Sequence, residues 1–401
     1  MMLPKDEILL QIESLALSGE GVAKKEGLVF FVDGALPGEE VRAEVTKTER
    51  NLIRAKTLEV FKKSSARVDV PCEHFGYCGG CAFQHLAYEE QLKAKQKALE
   101  DLFCHLGGFK NVQVEPIVPS PKPYHYRNTL SLTVRHRNDE PLFGFIGKDN
   151  HSFIPIEQCP VAEERINHAL PAIRKKFKEV VPEKKRRHTS QVAIRLGMGG
   201  EIYTSFKSDE GSQVMSAQVA GKKFKFSGAS FFQINYSILE DFVRTVREFL
   251  EPDPTLDLLD LYCGVGLFAL CLSESYRNVL GIEESEQAVS HARESASANQ
   301  ILNTRFISGR AEDALARSHE FLKEVSHVVA DPPRLGMNKE VTEELLRMEE
   351  IKKIVYVSCD PGTLIRDLKL LAPGFVIKAV RPFDMFPQTA HLETAVLLTR
   401  I

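Results

Sequence analysis

Cys72, Cys78 and Cys81 share the short stretch CEHFGYCGGCAFQH with Gly76, Gly79 and Gly80, and the next candidate partner, Cys159 in EQCP, lies far downstream. A loop this rich in glycine has little apolar side chain with which to bury three thiols. These sulfurs are therefore expected to be ligands or nucleophiles rather than core residues. A further thiol, Cys359, ends the apolar run KKIVYVSCD, between Ser358 and Asp360 and just before Pro361. At the carboxyl end of a buried strand, where the chain turns into a helix, a cysteine faces a ligand crevice. A reactive thiol is favoured there over a small buried hydrophobe. Asp331 ends another such run, VVADPPRLGM, with Pro332 and Pro333 enforcing an extended exit. In LDLLDLYCGVGLFAL a strand leads through Gly264 and Gly266 into a helix, and Glu283 ends the next strand, VLGIEES. Glycines let a backbone approach a cofactor, and an acid about 20 residues further on can accept ribose hydroxyl hydrogens. The loop also satisfies G-x-G-x-x-A through Ala269, so a nicotinamide dehydrogenase and a purely structural turn both stay open on the glycines alone.

The elements that must hold these residues divide the chain in three. Residues 1–62 read as short strands cut by Gly19, Gly21, Gly27, Gly34 and the turn Pro37-Gly38, which suggests a small β-barrel. Residues 63–228 hold the cysteines, β-like runs such as NTLSLTVRH and QVAIRLGM, and an amphipathic helix over 86–106. That helix presents Leu92, Leu99, Leu102, Phe103 and Leu106, stops at Gly107-Gly108, and is expected to pack on the third region. Cys104, within its apolar series, reads as a core thiol. From 229 to 401 apolar strands alternate with helices, the pattern of a parallel, doubly wound α/β sheet with ligands at the carboxyl ends of its strands.

The 401 residues, 43% hydrophobic and 27% charged, describe a folded protein rather than a disordered one. No apolar run approaches the length of a membrane span, and the start, MMLPKDEILLQIE, with acidic residues and no apolar core, does not read as a signal peptide. Eight cysteines in such a chain point to a cytoplasmic location and away from a disulfide framework. A net charge of −3 argues against indiscriminate nucleic-acid binding, but RKKFKEVVPEKKRRH (174–188) sets eight Lys and Arg against two Glu. It reads as a solvated loop or as a phosphate-contacting patch.

FQINY, DLYCGVGLF, DPPR, SCDP and HLETAVLL, in that order, resemble the S-adenosylmethionine-dependent RNA 5-methyluridine methyltransferases. The segment SGEGVAKKEGLVFFVDGALPGEEVRAEV is similar to the TRAM module, an OB-like RNA-binding barrel. The resemblance implies a Rossmann-like methyltransferase domain over 229–401, a TRAM barrel over 1–62 and a central α+β iron–sulfur domain over 63–228. It further implies that Cys72, Cys78, Cys81 and Cys159 bind a [4Fe–4S] cluster, with zinc as the runner-up. Soft thiolates suit either, while the spacing departs from paired C-x2-C zinc ribbons. S-adenosylmethionine would be held by Gln233, Tyr262, Gly264, Glu283 and Asp331, with Arg310 or Glu312 on the adenine side. Phe231 would stack on a flipped uracil.

Uracil C5 is too weak a nucleophile to attack a methyl sulfonium directly. A thiolate adding to C6 makes an enolate whose C5 can attack. By resemblance Cys359 is that nucleophile, and Glu393 is the base that removes the C5 proton. The expected substrate is 23S ribosomal RNA, the alternative is transfer RNA, and a monomer is expected. Two more distant readings are an NAD(P)-dependent oxidoreductase with an iron–sulfur cluster, which leaves SCDP unexplained, and a non-catalytic RNA-binding protein, which leaves Cys359 and Glu393 without a role.

Overall fold

The computed structural model describes residues 3–49, 52–138, 140–181, 191–206, 213–317 and 322–401, and among these the strands fall into four sheets. Glycine turns cut the N-terminal region into β1 (Glu7–Gln11), β2 (Ser14–Leu15), β3 (Gly21–Lys25), β4 (Leu28–Asp33), β5 (Glu40–Thr48) and β6 (Leu52–Lys62). They form one sheet in the order β1-β5-β6-β4-β3-β2. In β5, Val41, Ala43 and Val45 are buried while Arg42 and Glu44 between them are not, so one face closes on Phe30, Val32 and Ile53. At Gly19, with φ +89°, a Cβ would stand 2.8 Å from that of Ala82, so only glycine lets this sheet touch the cysteine loop.

The helix expected over 86–106 is an α-helix over Tyr88–Asp101 (α1) followed by a wider π turn over Leu102–Gly107 and closed by Gly108 at φ +74°. Its inner row is Gln91, Lys95, Leu99 and Phe103, one residue every four. The expected apolar stripe is only partly the buried one. Leu92 and Cys104 are half-buried and Leu106 is 51% exposed, so Cys104 is not a core thiol. Gln91 and Lys95 can lie inside because partners from other segments meet their polar atoms. Leu99 and Phe103 join the core under the C-terminal sheet, with Leu259, Leu261 and Val328.

A central antiparallel sheet follows, of β7 (Thr129–Arg137), β8 (Glu140–Ile146), β9 (Phe153–Pro155), β10 (Gln191–Leu196) and β11 (Ile202–Thr204), in the order β11-β10-β7-β8-β9. Helix α2 (Glu164–Val180) lays Ile166, Leu170 and Phe177 on Leu130, Leu132, Val192 and Ile194. Of the basic run 174–188, residues 182–188 lie outside the described residues. On α2, Arg174 pairs with Glu157 and Lys178 with Glu140. The hairpin of β12 (Val214–Val219) and β13 (Lys222–Ser227) precedes residue 229, yet Met215, Ala217, Phe224 and Phe226 belong to the same core as Phe242 and Phe268. Alternation marks an apolar face but does not name what covers it.

After α3 (Leu239–Leu250) the chain alternates through β14 (Asp257–Leu261), α4 (Leu267–Leu272), β15 (Asn278–Glu283), α5 (Glu286–Ala298), β16 (Thr304–Ser308), α6 (Ala311–Arg317), β17 (Val325–Ala330), α7 (Lys339–Arg347), β18 (Lys353–Ser358) and α8 (Pro361–Leu371) to β19 (Phe375–Phe383) and β20 (Glu393–Arg400). The sheet order is β16-β15-β14-β17-β18-β20-β19. Leu258 faces one core while Leu259 and Leu261 face the other, so the sheet is covered on both sides. The sheet is not wholly parallel: β20 runs antiparallel to both β18 and β19. The connection over 384–392 is too short for the crossover that a parallel pair requires. The strand order reverses between β14 and β17, which opens a crevice at their carboxyl ends. Among the described residues no helix is long and apolar enough to cross a membrane.

Candidate active site

Two strands running in opposite directions bring Cys359 and Glu393 together. Ser358 is the register partner of Thr394, so the pairing carried one residue further sets Cys359 opposite Glu393. The turn holding the thiol is tightly made. Ser358 Oγ donates to the Asp360 carbonyl at 3.0 Å, and Asp360 caps α8 by accepting from the Thr363 amide at 2.9 Å, with Pro361 at the first helical position. From β17, Asp331 and the DPPR turn complete the group. Gly336, at φ +76°, closes that turn with a bond to the Pro333 carbonyl at 2.7 Å, and Thr363 Oγ1 holds the Arg334 carbonyl at 3.1 Å.

The electrostatics follow from this crowding. Burial and the Glu393 carboxyl push the Cys359 thiol up to about 11, while the Arg334 guanidinium, within hydrogen-bond reach of the sulfur, pulls it down. Glu393 is held well above the usual carboxylate range by burial and by Asp331, again against Arg334, and Asp331 is raised by burial. With no substrate present the thiol is held protonated near neutral pH, and burial favours the neutral form of Glu393. An approaching cation favours the ionised carboxylates, because it lowers their charging cost. Arg334 is a functional candidate that sequence reasoning passed over, although DPPR carried it in plain view. It is the cation facing the thiol and the carboxyl.

Beside this group lies the glycine turn. Tyr262 has φ +61°, which a non-glycine residue rarely adopts, and Gly264 and Gly266 have φ +55° and +86°. At Gly266 a Cβ would lie 3.2 Å from the Phe306 ring. Glu283 binds this loop, accepting from the Gly264 amide at 3.1 Å and from the Ser285 amide at 2.9 Å. Asp260, fully buried, accepts from the Ala269 amide at 2.8 Å and leaves Oδ1 without a partner. Burial, with Asp331 and Glu283 nearby, raises it well above the carboxylate range. Acidic groups thus stand within electrostatic reach of one another from the glycine turn to Cys359. Sequence reasoning missed Asp260, since one Asp inside the run LDLLDLYC reads as part of a strand. Arg310 and Glu312 are ion-paired with each other, and Asn338 Nδ2 donates to Glu312 Oε1 at 3.0 Å. Gln233 is buried, its carbonyl accepting from Asn128 Nδ2 at 2.9 Å. Phe231 is 68% exposed, while its neighbour Phe232 is buried and stacks on Phe226 with ring centroids 4.6 Å apart. The core phenylalanine of FFQIN is Phe232.

The other four candidate thiols meet elsewhere. Cys72, Cys78, Cys81 and Cys159 line one cavity of about 210 Å³, bounded also by Gln84, Arg127, Leu130 and Phe145. The Cys78 loop bridges Gly147 after β8, and Asn167 on α2 clamps Cys159 through its amide and carbonyl at 2.9 and 3.0 Å. Burial pushes Cys81 up to about 12, and Cys159, Cys78 and Cys72 push in the same direction. Among the described residues no group of three or more His, Cys, Asp or Glu is arranged to hold a single metal ion. The cavity lining carries no carboxylate; its soft donors are four sulfurs, with the His74 imidazole and the Arg127 cation beside them.

Residues 203–401 match the family model described as tRNA (uracil-5-)-methyltransferase, and residues 5–58 match the TRAM domain. An uncharacterized RNA methyltransferase of Gloeobacter violaceus is 31% identical, over 100% of this chain and 98% of that protein. One of Clostridium tetani is 32% identical, over 97% of this chain and 95% of that protein. The crystal structure of the Pyrococcus abyssi tRNA (uracil-54, C5)-methyltransferase in complex with S-adenosyl-L-homocysteine superimposes with a TM-score of 0.72 at 26% identity, covering 98% of this chain and 100% of that one. With likeness running the length of each of these proteins, the chain belongs to the tRNA (uracil-5-)-methyltransferase family of RNA methyltransferases and carries a TRAM domain at its N-terminal end.

Proposed function

We propose that this protein methylates C5 of a uridine in RNA, with Cys359 as nucleophile and Glu393 as general base. The observation that carries the reading is the register that sets this thiol opposite this carboxyl, beside Asp331 and Arg334. S-adenosylmethionine supplies the methyl group from a sulfonium, and Gln233, Tyr262, Gly264, Glu283 and Asp331 are the residues proposed to hold it. Its positive sulfur suits a site beside Asp331 and Glu393, and would favour their ionised forms. The thiol releases its proton to water, helped by Arg334, which favours the thiolate, and the sulfur adds to uracil C6 while the C5=C6 electron pair moves into an enolate. C5 then takes the methyl group, the S–CH3 electron pair staying on sulfur as a neutral thioether. Glu393 removes the C5 proton, and the C6–S bond breaks to restore the double bond and the thiolate. Phe231, whose ring is exposed, is proposed to stack on the unstacked uracil.

Cys72, Cys78, Cys81 and Cys159 are proposed to hold a [4Fe–4S] cluster. Four thiols around a cavity, drawn from two segments that the sequence keeps far apart, support it. Methyl transfer needs no electron, so the cluster's part is to tie the cysteine loop to the central sheet. The RNA proposed from the resemblance is 23S ribosomal RNA. The second reading, transfer RNA, is favoured by the family description and by the Pyrococcus relative. A cytoplasmic monomer completes the proposal. Mapping 5-methyluridine in RNA from cells lacking the protein tests both readings. Loss at a 23S position supports the first and loss at a transfer-RNA position the second, while an unchanged map overturns the activity.

A further inference from the structure

We propose that Lys95 and Asp384 are a positioning pair that sets the Glu393 carboxyl against Cys359, an inference that rests on reading Glu393 as the base. Segment 384–391 leaves β19 and ends two residues before Glu393. Lys95 Nζ lies 2.6 Å from Asp384 Oδ1 and donates to the carbonyls of Phe386 at 3.1 Å and His391 at 3.0 Å. One ammonium thus grips the segment at its start, middle and end. Both side chains of the pair are fully buried. One turn earlier on α1, Gln91 Nε2 donates to Gln388 Oε1 at 2.9 Å, and Gln91 Oε1 accepts from the Gln388 amide at 3.3 Å. Asn235 and Tyr126 reach the carbonyls of Met385 and Pro387, at 3.2 and 3.0 Å.

This segment is therefore shaped by side chains from outside it, above all from one face of α1. Its hold extends to the cysteine loop: the Gln388 carbonyl, at a residue with φ +68°, accepts from the amides of Ala82 at 2.8 Å and Phe83 at 3.0 Å, directly after Cys81. A buried ion pair is a weak source of stability compared with a well-packed apolar pair. What the three contacts of this ammonium do supply is a fixed place for the Asp384 carboxylate and two backbone oxygens, and hence for the strand that begins at Glu393. A base displaced by as little as about 1 Å loses on the order of a hundredfold in rate.

The test compares the double variant Lys95→Met/Asp384→Leu with wild type and Glu393→Gln. The substrate is total RNA from cells lacking the protein, with S-adenosylmethionine. Product 5-methyluridine, denaturant-stable protein–RNA adduct and thermal midpoint are measured. Removing both charges leaves none unpaired inside, so the fold is expected to survive. The expected result is a near-native midpoint, a tenfold to hundredfold slower release of product, and a methylated adduct that accumulates as it does in Glu393→Gln. A folded double variant with normal turnover, or with slow turnover and no adduct, overturns the inference. Should the double variant fail to fold, Asp384→Asn, which keeps an oxygen for Lys95, is expected to accumulate the adduct more weakly, and wild-type behaviour there overturns the inference as well. Normal turnover by Glu393→Gln would instead remove the base reading beneath it.

Discussion

Two thiol environments in this protein differ in company rather than in burial. Cys81 is pushed up to about 12 and Cys359 up to about 11, in each case chiefly by burial. Around Cys81 stand three further thiols and no carboxylate lining the cavity. Around Cys359 stand Glu393, Asp331 and Arg334. A raised thiol pKa therefore does not separate a ligand from a nucleophile. Convergent soft donors suit ligation, whereas a carboxyl and a guanidinium facing one sulfur suit proton transfer and covalent chemistry.

The sharpest way to break the contrast is to exchange the effects of the two cysteines. Cys359→Ala should lower 5-methyluridine formation on the order of 10⁴-fold or more, as loss of a covalent nucleophile does, with no adduct and with iron content unchanged. If the variant stays fully active, the thiol is not the nucleophile. Glu393→Gln comes next, slower by about 10²–10⁴-fold. Here the methylated adduct should build up, because the C6–S bond cannot break until the C5 proton leaves, and mass spectrometry of the trapped species reads it. A poorly folded variant without adduct would make Glu393 a structural strand residue.

Cys81→Ser addresses the other cavity. Anaerobically purified wild type is expected to carry about four irons per chain and to absorb near 400 nm. The variant should lose the iron and unfold at lower temperature, while alkylation of Cys359 changes less than about twofold. One zinc and no iron in the wild type would replace the cluster by a single ion.

The smallest effect is in proton affinity. With the Cys359 thiol at about 11, only about one in a thousand is thiolate at pH 8. The raised value favours the neutral form, so iodoacetamide alkylation of the RNA-free protein should rise about tenfold per pH unit from 7 to 10 without levelling. Glu393→Gln removes a group that raises the thiol and should speed alkylation a few-fold, and Arg334→Met should slow it. A plateau by pH 8 would mean that the thiol is not held as this geometry holds it.

Much of the candidate site was legible locally. Cys359 and Asp331 were readable because apolar runs ending in a polar residue and proline mark strand ends that face a crevice. The glycine turn and Glu283 were readable for the same reason, and the structure joins them by the Gly264–Glu283 bond. The inner row of α1 was not legible. A pattern of apolar residues selects Leu92 over Lys95, whereas the fold buries Lys95. The reason is Asp384 and two carbonyls almost three hundred residues away, which no local window contains.

By itself the sequence determined where strands, turns and helix stops fall, because alternation, glycine and proline act on the backbone within a few residues. It also determined which side chains could do chemistry at all. Tertiary structure alone decided which of them meet: Cys159 with the loop at 72–81, Glu393 with Cys359, the hairpin at 214–227 with the C-terminal core. It also reversed β20, because a short connection cannot make a parallel pair. Periodicity states that a face must be covered and a buried charge must be matched. The partner is chosen by packing between segments distant in the chain, and that choice exists only once the chain has folded.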